Sequence, residues 1–253
     1  MIHNSHRYSN LNISWVFFDM GGVLIDSSLL FSYIAKKLYR ELPIDPEVLR
    51  EKLSYHFIRL KSQSFRTVRK LFYNSFLEVA KEFNLDLTIA KKLAYKTSKL
   101  YTDFFINHAK LYPDVLPCLQ TLRKRGFKLG IISDADMDVL KVEIKRLGIE
   151  EYFNVIVVSS EVKVYKPSKK IFTAALMKAG CQASKAVYIG DSDVDSGSKE
   201  VGMIFIRLVR WKKQHKPRHL KADFIVYNLY EAIRIITGES QEKLSRNEKV
   251  LKQ

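Results

Sequence analysis

Short apolar runs recur through the second half of the chain: FKLGIIS (127–133), NVIVVSS (154–160), KAVYIGD (185–191), MIFIRL (203–208) and DFIV (223–226). Between them lie stretches of helical spacing, MDVLKVEIKRLG, SKKIFTAALMKAG and the short SGSKEVG. The second of these is opened by Pro167 and closed by Gly180. The runs are apolar at nearly every position, not at alternate ones. A strand without a polar face has to be covered on both sides, and strands separated by helices form a parallel sheet. The pattern therefore predicts an α/β fold built on a parallel-sheet core. SWVFFD (14–19) reads as one more strand, ending at the Gly21-Gly22 turn. DVLPCLQTLRKRG reads as a helix closed by Gly126, and LYEAIRIIT finishes the unit.

From about 27 to 109 the texture changes. LLFSYIAKKLYRE, PEVLREKLSYHFIRL, FRTVRKLFYNSFLEVAKEFN and TIAKKLAYKTSKLYTDFFIN all carry helical periodicity. Asp45 is placed as an N-cap, with Pro46 at the first helical position. These stretches predict a helical bundle inserted into the sheet domain. The expected division is a core of residues 12–26 and 109–237, an α-helical insertion over 27–108, and a polar tail over 238–253. The aromatic stripe Phe65, Phe72, Phe76 and Phe83 reads first as core packing and second as a pocket wall.

Composition bounds the function. An apolar fraction of 47% over 253 residues supports a sizeable core. No stretch approaches the length of a membrane span. The first twelve residues, MIHNSHRYSNLN, lack the layout of a signal peptide. Cys118 and Cys181 are too few and too far apart for a disulfide framework or a metal knuckle. A cytoplasmic location is the expectation. The net charge of +16 invites a nucleic-acid reading, but the positive residues are spread along the chain. The densest cluster, WKKQHKPRH (211–219), resembles a loop more than a helix face. Attraction of a small anionic substrate accounts for the charge at least as well, so no nucleic-acid partner is expected.

In such sheets ligands bind beyond the carboxyl ends of the strands. The first strand delivers Asp19 there, the second Ser133 with Asp134, and the segment after the third Lys166 before Pro167. The fourth delivers Asp191, with Asp195 four residues later. Each element alone is what a turn, a cap or a helix entry would supply. Together, in this order, they place a hydroxyl, a lysine and several carboxylates at one crevice.

FFDMGGVL (17–24), IISD (131–134), YKPSKKIF (165–172) and IGDSDVDSG (189–197) resemble the four motifs of the haloacid dehalogenase superfamily. The likeness covers roughly residues 14–237, including the lead-in LYPDVLPCLQTLRKRGFKLGIISD. It implies a Rossmann-like core, and the helical insertion resembles the family's C1-type cap. It further implies that Asp19 is a nucleophile forming an aspartyl-phosphate. Mg²⁺ would be held by Asp19, the Gly21 carbonyl and Asp191, with Asp195 acting directly or through water. Ser133 would donate to the phosphoryl group, Lys166 would neutralise charge on Asp19 and phosphate, and backbone N–H groups of the Gly21–Gly22 turn would add donors. The implied partner is a small phosphorylated metabolite. The aromatic-rich helices leave a homodimer open.

The sequence departs from the phosphatase pattern at Gly21, where most relatives carry a second Asp that protonates the leaving group. Glycine keeps the carbonyl and loses the acid, whose help is typically worth ~10²–10⁴-fold. Three readings follow: a phosphatase favouring good leaving groups, a metal-independent 2-haloacid dehalogenase, and a non-catalytic binding protein. The intact Gly190-Asp191 pair argues for a metal and against the dehalogenase. Asp134 is expected to bond to the backbone or point away, without a catalytic role. His56 is read as a satisfied core histidine, His108 as a hinge or surface residue, and Asp26 as a helix N-cap or hinge.

Overall fold

The computed structural model describes residues 12–42, 44–210 and 222–238. The 211–219 cluster, residues 1–11 and the tail beyond Gly238 lie outside the described residues.

The apolar runs become six strands: β1 (Trp15–Phe18), β2 (Lys128–Ser133), β3 (Val155–Val158), β4 (Ala186–Gly190), β5 (Ile204–Leu208) and β6 (Phe224–Val226). They form one sheet in the order β3-β2-β1-β4-β5-β6, and every pair is parallel. Trp15 pairs in register with Lys128 on one side and Ala186 on the other, so β1 lies inside the sheet, with β4 beside it at the middle. The strand order reverses between β1 and β4. That switch point, where neighbouring connections leave in opposite directions, is where such sheets open a crevice.

Helices α1 (Leu30–Leu38), α2 (Pro46–Gln63), α3 (Val68–Glu82) and α4 (Leu87–Asp103) follow β1. They pack on one another, with α3 meeting both α2 and α4. Three are started by side-chain caps. Asp45 accepts from Glu47 N and Val48 N ahead of Pro46, Thr67 from Lys70 N, and Asp86 from Thr88 N and Ile89 N. Each cap satisfies donors that the first turn leaves unpaired. After α4 the chain widens into one π-helical turn, Phe104–His108, before it returns to the sheet.

The remaining helices are α5 (Val115–Lys124), α6 (Met137–Arg146), the short α7 (Ser159–Val162), α8 (Lys169–Ala179) and α9 (Leu229–Thr237). Alternate strand residues divide between two apolar layers. Val16, Phe18, Ile131 and Ile189 pack with α5, α6 and α9, and this cluster continues into α1–α4. Trp15, Phe17, Tyr188 and Phe205 face α8 through Ile171, Phe172 and Ala175. Both faces are covered, as strands without a polar face require.

Two local expectations shift. The strand over NVIVVSS stops at Val158, and Ser159-Ser160 begin α7, where Ser160 Oγ accepts from Met137 N (3.0 Å). SGSKEVG belongs to a 3₁₀ segment that starts earlier, at Asp193, because Asp195 and Ser192 close a capping box there. Among the described residues no helix is long and apolar enough to cross a membrane.

Candidate active site

Asp19 directly follows β1 and Asp191 directly follows β4, the two strands that lie side by side at the switch point. Asp19 is buried, and its Oδ1 accepts from Met20 N (2.8 Å). Its Oδ2 lies 2.8 Å from Lys166 Nζ. Lys166, also buried, reaches Asp195 Oδ1 (2.7 Å) and Tyr188 OH (3.0 Å) as well. Carboxylate atoms of Asp19, Asp191 and Asp195 all lie within 4.8 Å of one another.

Asp195 is 0% exposed and fully engaged. Its Oδ1 takes Lys166 Nζ and Tyr188 OH, and its Oδ2 takes Asp191 N, Ser192 N and Ser192 Oγ at 2.8–3.0 Å. A carboxylate offers about four lone-pair sites, so little is left for a further partner. Asp195 therefore fixes Lys166 and the loop carrying Asp191. Gly190 makes room for it, since a Cβ there would stand 2.4 Å from the Asp195 carboxyl carbon.

The charges do not balance. Burial raises Asp19 to about 6, with Lys166 opposing the shift. Asp191 is raised to about 7, by burial first and then by the charges of Asp195 and Asp19. Burial also pushes Asp195 upward, but Lys166 and the Ser192 donors outweigh it and the net direction is down. Lys166 is penalised by burial and held well above its ordinary value by Asp19 and Asp195. Three carboxylates against one ammonium leave an excess of negative charge in an all-oxygen donor set. A hard divalent cation such as Mg²⁺ fits that set, and Asp19 and Asp191 are the carboxylates with oxygens to give it.

Ser133, at the end of β2, and Gly21 line the same cavity as Asp19 and Lys166. Gly22 is positioned differently from expectation. Its N–H donates to Ile25 O (2.9 Å) inside the turn, so it is not available to a phosphate, and that assignment is corrected. Its role is steric: φ is +75°, and a Cβ would stand 2.0 Å from Asp191 Oδ2. Asp134 Oδ1 accepts from Lys166 N (3.1 Å), so it bonds to the backbone. His56 pairs with Glu82 (2.8 Å), and His108 lies half-exposed beside Asp103; neither lines this cavity. Asp26 closes a two-residue turn through Ser28 N and does not cap α1, which starts at Leu30.

Several residues at the site had no motif to mark them. Lys61, from α2, reaches Asp134 Oδ2 (2.8 Å, an ion pair without an aligned hydrogen bond) and lies over the Tyr165 ring. Asp136 accepts from Val68 N and Arg69 N (2.9 Å each), clasping the start of α3 to the loop after β2. Ser27 Oγ fills the space beside Gly21, 2.9 Å from where a Cβ would be. Arg210, just beyond β5, donates to Gly22 O (3.2 Å) and Val23 O (2.6 Å) and forks onto Asp114 (3.0 and 3.1 Å). It also stacks 3.8 Å from the Tyr112 ring centroid. Lysine cannot reproduce a fork and a stack together. Arg210→Lys is expected to cost about 2 kcal/mol in urea unfolding and to lower turnover through a loosened Gly21–Val23 turn.

The sequence pattern of the haloacid dehalogenase-like hydrolases matches residues 16–208. The chain belongs to that family. A glyceraldehyde 3-phosphate phosphatase from Methanopyrus kandleri is 35% identical over 163 residues, 58% of this chain and 70% of the relative. A HAD phosphatase from Thermococcus onnurineus superposes with a TM-score of 0.65 at 27% identity, over 90% of this chain and 99% of that one. The L-2-haloacid dehalogenase of Xanthobacter autotrophicus shares the fold, with a TM-score of 0.70 at 16% identity, over 90% of this chain and 100% of that one.

Proposed function

We propose that the protein is a Mg²⁺-dependent phosphohydrolase acting on a small phosphate ester through an aspartyl-phosphate on Asp19. One observation carries this reading: Lys166 Nζ bridges Asp19 and Asp195 while the Asp191 carboxylate stands in the same cluster. The similarity to phosphatases supports it. In the proposed reaction an Asp19 oxygen attacks phosphorus and the bond to the leaving oxygen breaks. Water then attacks the same phosphorus, releasing inorganic phosphate and the Asp19 carboxylate. Lys166 lets an anionic nucleophile approach an anionic phosphate, and Ser133 donates to a phosphoryl oxygen. Asp19, the Gly21 carbonyl and Asp191 would hold Mg²⁺, which supplies charge neutralisation at the phosphoryl oxygens.

We further assign residues 27–108 as a cap over a core of residues 12–26 and 109–237. The cavity is lined both by Phe57, Lys61 and Phe72 of α2 and α3 and by Asp19 and Ser133 at the strand ends, which supports that division.

Phosphate release with and without Mg²⁺ tests the reading, using an aryl phosphate, sugar phosphates and 2-haloacids. Metal-dependent release, fastest for the aryl ester, is expected. Halide release without metal would replace it with the dehalogenase reading. No turnover of any substrate would leave the binding protein.

Gly21→Asp is expected to raise alkyl ester turnover by up to ~10²-fold and aryl ester turnover much less. The new side chain must displace the Ser27 hydroxyl, so the substitution is best made together with Ser27→Gly. Equal acceleration of both esters would contradict the view that protonation of the leaving group limits turnover.

A further inference from the structure

The cavity that opens on Asp19, ≈ 260 Å³ including that end, has an apolar chamber lined by residues of the helices. Phe31, Phe57, Phe72, Tyr101 and Phe105 wall it. One residue of the wall does not suit it. Glu143 lies on α6, on the face that carries Leu140 and Ile144 into the core, where helical periodicity calls for an apolar side chain. It is 3% exposed, it lines the chamber, and its Oε1 has no hydrogen-bond partner. The guanidinium of Arg146 exerts some pull on it but is committed to Phe105 O and Ala109 O. Burial pushes the Glu143 carboxyl up to about 8.

An unsatisfied buried carboxyl oxygen costs about 1–3 kcal/mol or more. Nothing in the packing of α6 requires it, and leucine would fit the helical pattern. Groups kept at a stability cost and aimed into a cavity belong to what the cavity binds. The surrounding rings present faces that attract cations, and an ammonium beside Glu143 favours its charged form, so the carboxyl gives its proton to solvent and pairs with the ammonium as a carboxylate. The chamber is small by the standard of ligand pockets, so its occupant is compact.

We propose that Glu143 is a specificity contact at the wall of the substrate chamber, receiving a protonated amine carried on the apolar or aromatic body of a phosphomonoester. Phosphate at Asp19 and amine at Glu143 then fix the two ends of the substrate. This deepens the phosphohydrolase reading and rests on it for the phosphate end.

Calorimetric titration of the wild-type protein with Mg²⁺ and two non-hydrolysable probes, benzylphosphonate and 4-(aminomethyl)benzylphosphonate, tests the proposal. The amine is expected to bind ~10-fold tighter or more, the usual scale for a hydrogen bond to a charged group. In Glu143→Gln and Glu143→Leu that advantage should fall to about threefold or less, with benzylphosphonate affinity nearly unchanged. Glu143→Leu should also melt at a higher temperature than wild type, whereas loss of a structural contact would lower it. The proposal is overturned if the amine gains nothing in wild type, if its advantage survives both substitutions, or if neither phosphonate binds. Phosphonate binding with the expected Glu143 dependence, but without turnover of any aryl phosphate, would sink the catalytic reading and leave this one standing.

Discussion

Lys166→Met is expected to cut turnover by orders of magnitude while leaving a folded protein of lower stability. Among the described residues Lys166 Nζ is the one cation in contact with both Asp19 Oδ2 (2.8 Å) and Asp195 Oδ1 (2.7 Å), and all three groups are buried. Without it Asp19 loses the interaction that opposes its burial, so its carboxyl rises above the present value of about 6 and is protonated at neutral pH. A protonated Asp19 is a poor nucleophile, and a phosphate approaching the site meets no neutralising charge. We expect turnover of an aryl phosphate to fall on the order of 10³-fold. Breaking a buried pair from one side typically costs about 3–5 kcal/mol. The loss should fall at the lower end, because Asp19 relieves its own charge by taking a proton and Asp195 keeps its donors from Ser192 and Tyr188. Urea unfolding and aryl phosphate release measure the two effects. Turnover within tenfold of wild type would remove Lys166 from the proposed machinery.

Gly22→Ala carries the second large effect, from one methyl group. The backbone at Gly22 has φ +75°, which costs an L-residue roughly 1–2 kcal/mol. The added Cβ would also stand 2.0 Å from Asp191 Oδ2. The turn cannot easily yield, because Arg210 holds its Gly22 and Val23 carbonyls and Gly22 N is bonded to Ile25 O. Asp191 must therefore swing away from Asp19. Turnover should drop ~10²-fold or more, and the rise in melting temperature expected on adding Mg²⁺ to the wild-type protein should shrink with it. A double-mutant cycle isolates the cause. In an Asp191→Ala background Gly22→Ala should destabilise less, since the clash has lost its partner and only the backbone strain remains. An undiminished penalty would mean that strain, not the Asp191 contact, explains the glycine.

The parts of this fold legible in the sequence are those that depend on neighbours along the chain. Apolar runs such as KAVYIGD read as buried strands, and Asp45-Pro46 could be read as a helix start because caps act within one turn. Asp19, Lys166, Asp191 and Asp195 were legible as a group because each sits at a fixed offset from a strand end, and a parallel sheet collects such ends at one edge. Lys61, Asp136, Glu143 and Arg210 were not legible. Each acts through a contact with a segment far away in the chain, as when Arg210 holds Gly22 or Asp136 holds Val68.

What the chain alone determined is therefore the sheet, the helices and the chemistry offered at the strand ends, since periodicity and turn residues encode these locally. Tertiary packing alone decided that Lys166 and Tyr188 fill Asp195 Oδ1, that Arg210 holds the Gly22 and Val23 carbonyls, and that a glutamate of α6 faces the apolar chamber. Such outcomes depend on which donors and acceptors meet across the fold, and no spacing along one strand or helix records that.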